Sequence, residues 1–183
     1  MAHIAILGLG NWGTAVARMW LLDGHKVKGW TIEQEVYESI IMEGINKKYL
    51  PDHSIEGIEV TMRLEEALEG VEIVVLAIPS SVILDVVDDV IPHLRPGHVL
   101  IDLAKGLAPG KRLISEAIHE KLDAANKTNP LAVVTGPTIA PEAAGGVMTT
   151  ALVASEDESV AKRLAETLTT QTFILHSASD PVG

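Results

Sequence analysis

Short apolar runs alternate with amphipathic stretches along the chain, and Gly, Pro or Asp stands at most of the changeovers. The run HIAIL (3–7), closed by Gly8, predicts a buried strand, and TAVARMWLLDG (14–24) predicts a helix that stops at Gly24. HKVKGW (25–30) reads as a second strand, 33–43 as a helix and 49–54 as a turn-rich loop. IEVT (58–61) predicts a short strand and RLEEALEG (63–70) a helix ending at Gly70. VEIVVLAIPS (71–80), the most hydrophobic segment, predicts a strand buried on both faces. An amphipathic helix over 82–94 and a strand over 98–104 follow. A helix over 112–125, strands over 131–135 and 149–155, a helix over 158–170 and a strand over 172–177 complete the series.

Strands that are apolar almost throughout, alternating with helices, predict a parallel sheet covered on both faces. No repeat, low-complexity tract or internal linker interrupts the pattern. Residues 1–183 therefore read as one α/β domain, a doubly wound and mainly parallel sheet.

Composition narrows the function classes. The chain is 47% hydrophobic but poor in aromatic residues, so Val, Ile, Leu and Ala must build the core. A net charge of −11 with no basic stripe argues against nucleic acid or anionic membrane as a partner. The sequence has no cysteine, which excludes disulfides, zinc thiolate sites and thiol catalysis. The N-terminus has no basic region of a signal peptide, and no apolar stretch is long enough to span a bilayer. These features predict a soluble, cytoplasmic protein.

Within GLGNWGTAVA (8–17) lies G-x-G-x-x-G, a weak pattern when it stands alone. Here it follows a predicted strand and opens a predicted helix, the arrangement a dinucleotide turn requires. Gly8 permits the tight turn, Gly10 removes a side chain that would block a pyrophosphate, and Gly13 lets helix and strand approach. The alternative is a turn whose glycines serve packing alone. Such folds often carry an acid about 20 residues on, at the end of the second strand. Glu33 lies near that distance, but Thr31 and Ile32 occupy the expected contact positions and no arginine stands there for a 2′-phosphate. NAD is thus favoured over NADP. Glu33 also reads as a solvated acid in the first turn of a helix, favoured there by the helix dipole.

Ligands of doubly wound sheets bind beyond the carboxyl ends of the strands. AIPSS (77–81) ends the fourth strand with Pro79 and two hydroxyls, and LAKGL (103–107) places Lys105 after the fifth. VTGPTIAPE (134–142) ends the sixth, where Gly136 and Pro137 force a turn and Thr138 presents a hydroxyl. Each has a plain explanation as a strand end, a surface lysine or an ordinary turn. Their convergence on one edge points to a site where an ammonium and a hydroxyl hold a small anion.

Taken together, GLGNWGTAVA (8–17), KKYLP (47–51), VEIVVLAIPS (71–80), AKG (104–106) and TGPTIAPE (135–142) resemble the N-terminal domain of NAD(P)-dependent glycerol-3-phosphate dehydrogenases. The resemblance runs to Asp180-Pro-Val-Gly183. It implies a Rossmann-like domain in which Gly8, Asn11, Trp12 and Gly13 lie along the cofactor phosphates, joined there by Gly10 from the motif itself. It implies that Ala140 touches the dinucleotide and that Lys105 meets both cofactor and substrate; the strand-end positions add Thr31 and Ile32, and Pro79 near where a nicotinamide would extend, as expected cofactor contacts. Gly136 and Thr138 would help hold glycerol 3-phosphate. The family commonly carries Arg or His near 31–32 and an arginine after the Pro-Ser-Ser; Thr31, Ile32, Val82, Ile83 and Leu84 depart from that pattern. The family's proton-accepting lysine belongs to a second, helical domain expected beyond Gly183, so the resemblance assigns no catalytic residue in this chain and implies that the domain alone is inactive.

No metal site is expected, because the seven histidines form no H-x-x-x-H pair and lack carboxylates at ligand spacing. Ser80 and Ser81 lack the setting of a hydrolase nucleophile. The leading expectation is the cofactor domain of an oxidoreductase that interconverts sn-glycerol 3-phosphate and dihydroxyacetone phosphate, with a homo-oligomer compatible with it. A related 2-hydroxy or 2-keto acid dehydrogenase, or a free-standing NAD(H)-binding sensor, remain as alternatives.

Overall fold

The computed structural model describes residues 1–180, so Pro181, Val182 and Gly183 of the matched pattern lie outside the described residues. Its strands are β1 (His3–Leu7), β2 (Lys26–Trp30), β3 (Glu59–Thr61), β4 (Ile73–Leu76), β5 (Val99–Asp102), β6 (Leu107–Ala108), β7 (Arg112–Leu113), β8 (Leu131–Thr135), β9 (Thr149–Ala154) and β10 (Phe173–Ala178). The helices are α1 (Asn11–Leu22), α2 (Gln34–Glu43), α3 (Leu64–Ala67), α4 (Ile83–Val90), α5 (Ile114–Ala124), α6 (Ala140–Ala144) and α7 (Glu158–Leu168). A 3₁₀ turn over Ile91–His93, containing Pro92, replaces the end of the helix expected to 94.

Eight strands form one sheet in the order β10-β9-β8-β5-β4-β1-β2-β3. The apolar runs have a simple cause. Successive side chains of a strand point to opposite faces, and both faces are covered. Ile4 and Ile6 of β1 therefore enter a core with Val16, Trp20, Leu164 and Phe173. Ala5 and Leu7 enter the opposite core with Val87, Leu100 and Ile118. The Trp20 indole N–H donates to the carbonyl of Leu168 at 3.0 Å, which ties α1 to the end of α7.

The mainly parallel sheet is as expected, and two features add detail that the apolar pattern did not specify. β9 runs antiparallel to β8, while the other strand pairs of the sheet among the described residues are parallel. Between them lies only α6, a five-residue helix packed on α1. Such a helix spans about 7.5 Å, too short to return the chain to the opposite edge of the sheet. β9 therefore starts from the edge where β8 ends. The second feature is a small β6–β7 hairpin within the stretch after Lys105, turned by Gly110 and Lys111 at positive φ.

Strand order reverses between β1 and β4: the chain runs from β1 outward to β2 and β3, and from β4 outward to β5 and β8. A crevice opens at the carboxyl ends of strands at such a switch point.

Candidate functional site

The glycine turn fills that crevice. Gly8 donates its N–H to the carbonyl of Trp30 at 3.0 Å and has φ +99°, a region that favours glycine. A Cβ on Gly8 would come within 2.5 Å of the Ala77 carbonyl oxygen at the end of β4. A Cβ on Gly13 would overlap the Gly8 carbonyl oxygen. Packing inside the protein thus accounts for both glycines. Gly10 is different: its φ is −73° and, among the described residues, no heavy atom beyond its chain neighbours lies within 4 Å of a Cβ built on it.

Gly10 caps α1 without a side-chain hydrogen bond, and the first helical bond runs from the Thr14 N–H to the Gly10 carbonyl at 2.9 Å. The amides of Asn11, Trp12 and Gly13 therefore have no partner within the helix. No acidic residue occupies the first turn. Three such amides at the positive end of a helix dipole form a receptor for an anion.

Asn46, fully buried, holds this turn in shape. Its Nδ2 donates to the Leu9 carbonyl and to the Thr14 hydroxyl, both at 2.8 Å, and its Oδ1 accepts from the Tyr49 N–H at 3.2 Å. Thr14 in turn donates its hydroxyl to the Leu9 carbonyl at 3.1 Å. Asn46→Ala strands several buried polar groups, and urea unfolding should show a loss of about 1–3 kcal/mol.

A cleft of about 580 Å³ runs from the end of β2 across the turn to the segment after β5. Of the positions expected to contact a dinucleotide, Gly8, Gly10, Asn11, Trp12, Gly13, Thr31, Ile32, Pro79 and Lys105 all line it. Ala140 does not. It packs at the start of α6 beside Trp12, Ala15, Leu50 and Ala144. A second cleft of about 300 Å³ shares Trp12, Leu103, Ala104 and Lys105 with the first and continues to Gly136 and Thr138. Lys105 thus stands at the junction of the two. Gly136 also has a packing role, because a Cβ there would lie 2.9 Å from the Thr150 carbonyl oxygen of β9. Trp12 is set against Phe173 edge to face, with ring centroids 5.9 Å apart, which fixes the first turn of α1.

Sequence reasoning passed over several lining residues. Tyr49, Val82 and Val86 also face the large cleft. Glu33 lines it as well, and it is not simply solvated: Oε2 accepts from the Lys48 ammonium at 2.5 Å and Oε1 from the Tyr49 hydroxyl at 2.8 Å. The ammonium of Lys48 also pairs with Glu35. The Lys48 hydrogen bond, aided by Tyr49, holds the Glu33 carboxyl below the usual range despite some burial. Asp102, at the end of β5 and 2% exposed, accepts the Ala104 N–H at 2.8 Å just ahead of Lys105. Burial pushes its carboxyl up to about 6, against the opposing Ala104 hydrogen bond. An acid inside the apolar run HVLIDLA was the available signal for that residue.

The comparisons with known proteins agree with this architecture. Residues 3–161 match the family model described as NAD-dependent glycerol-3-phosphate dehydrogenase N-terminus. A glycerol-3-phosphate dehydrogenase (NAD(P)+) of Syntrophotalea carbinolica is 33% identical over 99% of this chain and 55% of its own length. One from Halothermothrix orenii is likewise 33% identical, over 99% of this chain and 52% of its own. The crystal structure of glycerol-3-phosphate dehydrogenase from Coxiella burnetii superposes with a TM-score of 0.90 at 33% identity, covering 98% of this chain and 54% of that one. The chain spans about half the length of the curated relatives it matches. By family match, sequence and fold, it belongs to the NAD-dependent glycerol-3-phosphate dehydrogenases, whose N-terminal part it corresponds to.

Proposed function

We propose that this chain is the cofactor-binding part of an oxidoreductase that interconverts sn-glycerol 3-phosphate and dihydroxyacetone phosphate with NAD(P)(H). The observation that carries the reading is the glycine turn: three unpartnered helix amides face a cleft, and space stands open over Gly10. A pyrophosphate fits that receptor and needs a residue without a side chain at Gly10. Gly8 and Gly13 shape the turn, Asn11 and Trp12 supply amides with Gly13, and Thr31, Ile32 and Pro79 bound the dinucleotide. Ala140 supports the Trp12 end of the site by packing, one step removed from the cleft.

When bound, the nicotinamide supplies hydride exchange with C2 of the substrate. The residues of this chain orient the partners. Lys105, at the junction of the clefts, offers its ammonium to the substrate or to the phosphates, and the Thr138 hydroxyl donates or accepts a hydrogen bond beside it. Gly136 keeps the backbone of that corner close to β9. The group that takes the substrate's hydroxyl proton is assigned to the part of the family that this chain does not match. The same reading carries a cytoplasmic location, in keeping with the cysteine-free sequence.

Backbone NMR of the chain loaded with NAD+ tests the substrate assignment. Titrating in glycerol 3-phosphate should shift the amides of Lys105, Gly136 and Thr138 in a saturable way, and Lys105→Ala should weaken that response about tenfold. A cofactor-loaded chain whose amides in this corner stay unmoved would refute the assignment.

A further inference from the structure

The smaller cleft, of about 300 Å³, receives opposite charges from opposite sides. Ala178 at the end of β10, Ala154 of β9, Val133 of β8 and Asp102 of β5 stand in register, in one row across the sheet. That row covers three strand spacings of about 4.8 Å, or about 14 Å. Val133, Leu152 and Ala154 line the cleft along the middle of the row. Lys105 reaches it from the β5 side, three residues after Asp102. Asp180 reaches it from the β10 side, two residues after Ala178. These two are the charged residues among the described residues lining this cleft, and Thr135 and Thr138 add hydroxyls.

We propose that Asp180 is a specificity-determining residue of the substrate corner. Its carboxylate accepts a hydrogen bond from the C1 hydroxyl of glycerol 3-phosphate and rejects the analogue that carries a carboxylate at C1. The inference rests on the reading of this cleft as the substrate site. A carboxylate offers about four acceptor sites and no donor, so bonds within the chain leave capacity for a substrate hydroxyl. A hydroxymethyl group can donate to it, and such charge-assisted bonds are about twice as strong as neutral ones. A substrate carboxylate has no proton to donate and brings a like charge to the same wall. Lys105 alone would attract an anion at either end of a ligand. Asp180 opposite it gives the cleft a polarity, with a cation for the phosphate and an acid for the uncharged end. That polarity favours a phosphorylated polyol or hydroxyketone over 2-hydroxy and 2-keto acids, which all carry a carboxylate.

Asp180 is exposed and lies beyond the last residue of β10, so replacing its carboxylate leaves the packed sheet intact. Discrimination and folding can therefore be separated. The test uses backbone NMR of the 183-residue chain saturated with NAD+, at constant ionic strength, alongside thermal melts. Glycerol 3-phosphate is compared with 3-phosphoglycerate of the same C2 configuration, which differs from it only in having a carboxylate at C1. The amides of Lys105, Gly136 and Thr138 report the occupancy of the corner.

Wild type should bind glycerol 3-phosphate at least about tenfold more tightly than 3-phosphoglycerate. Asp180→Asn should bring the two affinities to within about threefold of each other, at an unchanged melting temperature. Most of that change should come from tighter binding of 3-phosphoglycerate. Glu156→Gln removes an exposed acid outside the cleft lining and should alter the ratio less than Asp180→Asn. It controls for general repulsion by the net charge of −11. Equal affinities in wild type, a ratio unmoved by Asp180→Asn, or an equal shift from Glu156→Gln would overturn the assignment to Asp180. Amides that respond to neither ligand are a different result, and they would overturn the substrate reading itself and the assignment with it.

Discussion

Gly13→Ala should destabilise the protein by about 3 kcal/mol, while Gly10→Ala, three residues earlier, should leave its stability unchanged and abolish high-affinity binding of NADH. The contrast comes from what a methyl group would meet at each position. At Gly13 it would overlap the Gly8 carbonyl oxygen and press on Ala77 Cβ at 3.1 Å. The first of these is backbone, which no rotamer change can move, so α1 must shift from β1 and β4 and the packing of Val16 and Trp20 goes with it. For a chain of this length the melting temperature should fall by roughly 6–12 °C. At Gly10 the methyl would meet no atom of the described residues within 4 Å apart from its chain neighbours, on a backbone any residue adopts. Its only obstruction is to a ligand seated on the three amides. Calorimetry of both variants, paired with NADH titration of Gly10→Ala, checks the claim. A Gly10→Ala variant that binds as wild type would remove the pyrophosphate from the turn.

Asp102 should make stability depend on pH in a direction opposite to that of carboxylates held ionised by a cation or by hydrogen bonds. Its folded carboxyl sits at about 6, above the ordinary value of 3.8, because burial penalises the charge more than the Ala104 N–H rewards it. The folded protein thus holds this proton more tightly than the unfolded chain does. Stability from this group is present below pH 4 and is lost as pH rises through about 6; above that the ionised group costs about 3 kcal/mol. Asp102→Asn keeps an oxygen for the Ala104 N–H and removes the titration. Urea unfolding should find the variant about 2–3 kcal/mol more stable than wild type at pH 7.5 and nearly equal to it at pH 4. Taking the difference between the two proteins cancels the histidines and the other acids. A difference that does not change with pH would place the titration elsewhere.

The central strands were legible because β1, β4 and β5 are buried on both faces and leave an apolar run that no amphipathic element imitates. The glycine turn was legible for a related reason: its spacing acquires meaning only between such a strand and a helix. The reversal of β9 was not, since TTALVA alternates identically in either direction; the deciding fact was the length of α6. Two-residue strands leave no period to detect, which hid the β6–β7 hairpin. At the clefts, the residues singled out at strand ends take up lining positions, whereas Val82 and Val86 of the α4 region and the loop residues Asn46 and Tyr49 carried no signal in the sequence that placed them at the site. Asn46 looks like an ordinary loop residue until the fold lays it against Leu9 and Thr14, more than 30 positions away. Glu33 was visible as an acid at a suggestive distance, but its clamp by Lys48 and Tyr49 depends on a loop 15 residues on returning to the same rim.

All of this turns on whether the cleft over the glycine turn takes a dinucleotide. Trp12 lines that cleft, so its fluorescence reports directly on an occupant. Titration of the unmodified chain with NADH should give a saturable change with one site per chain, competed by NAD+ and by pyrophosphate. A linear, unsaturable response up to millimolar NADH would contradict the account.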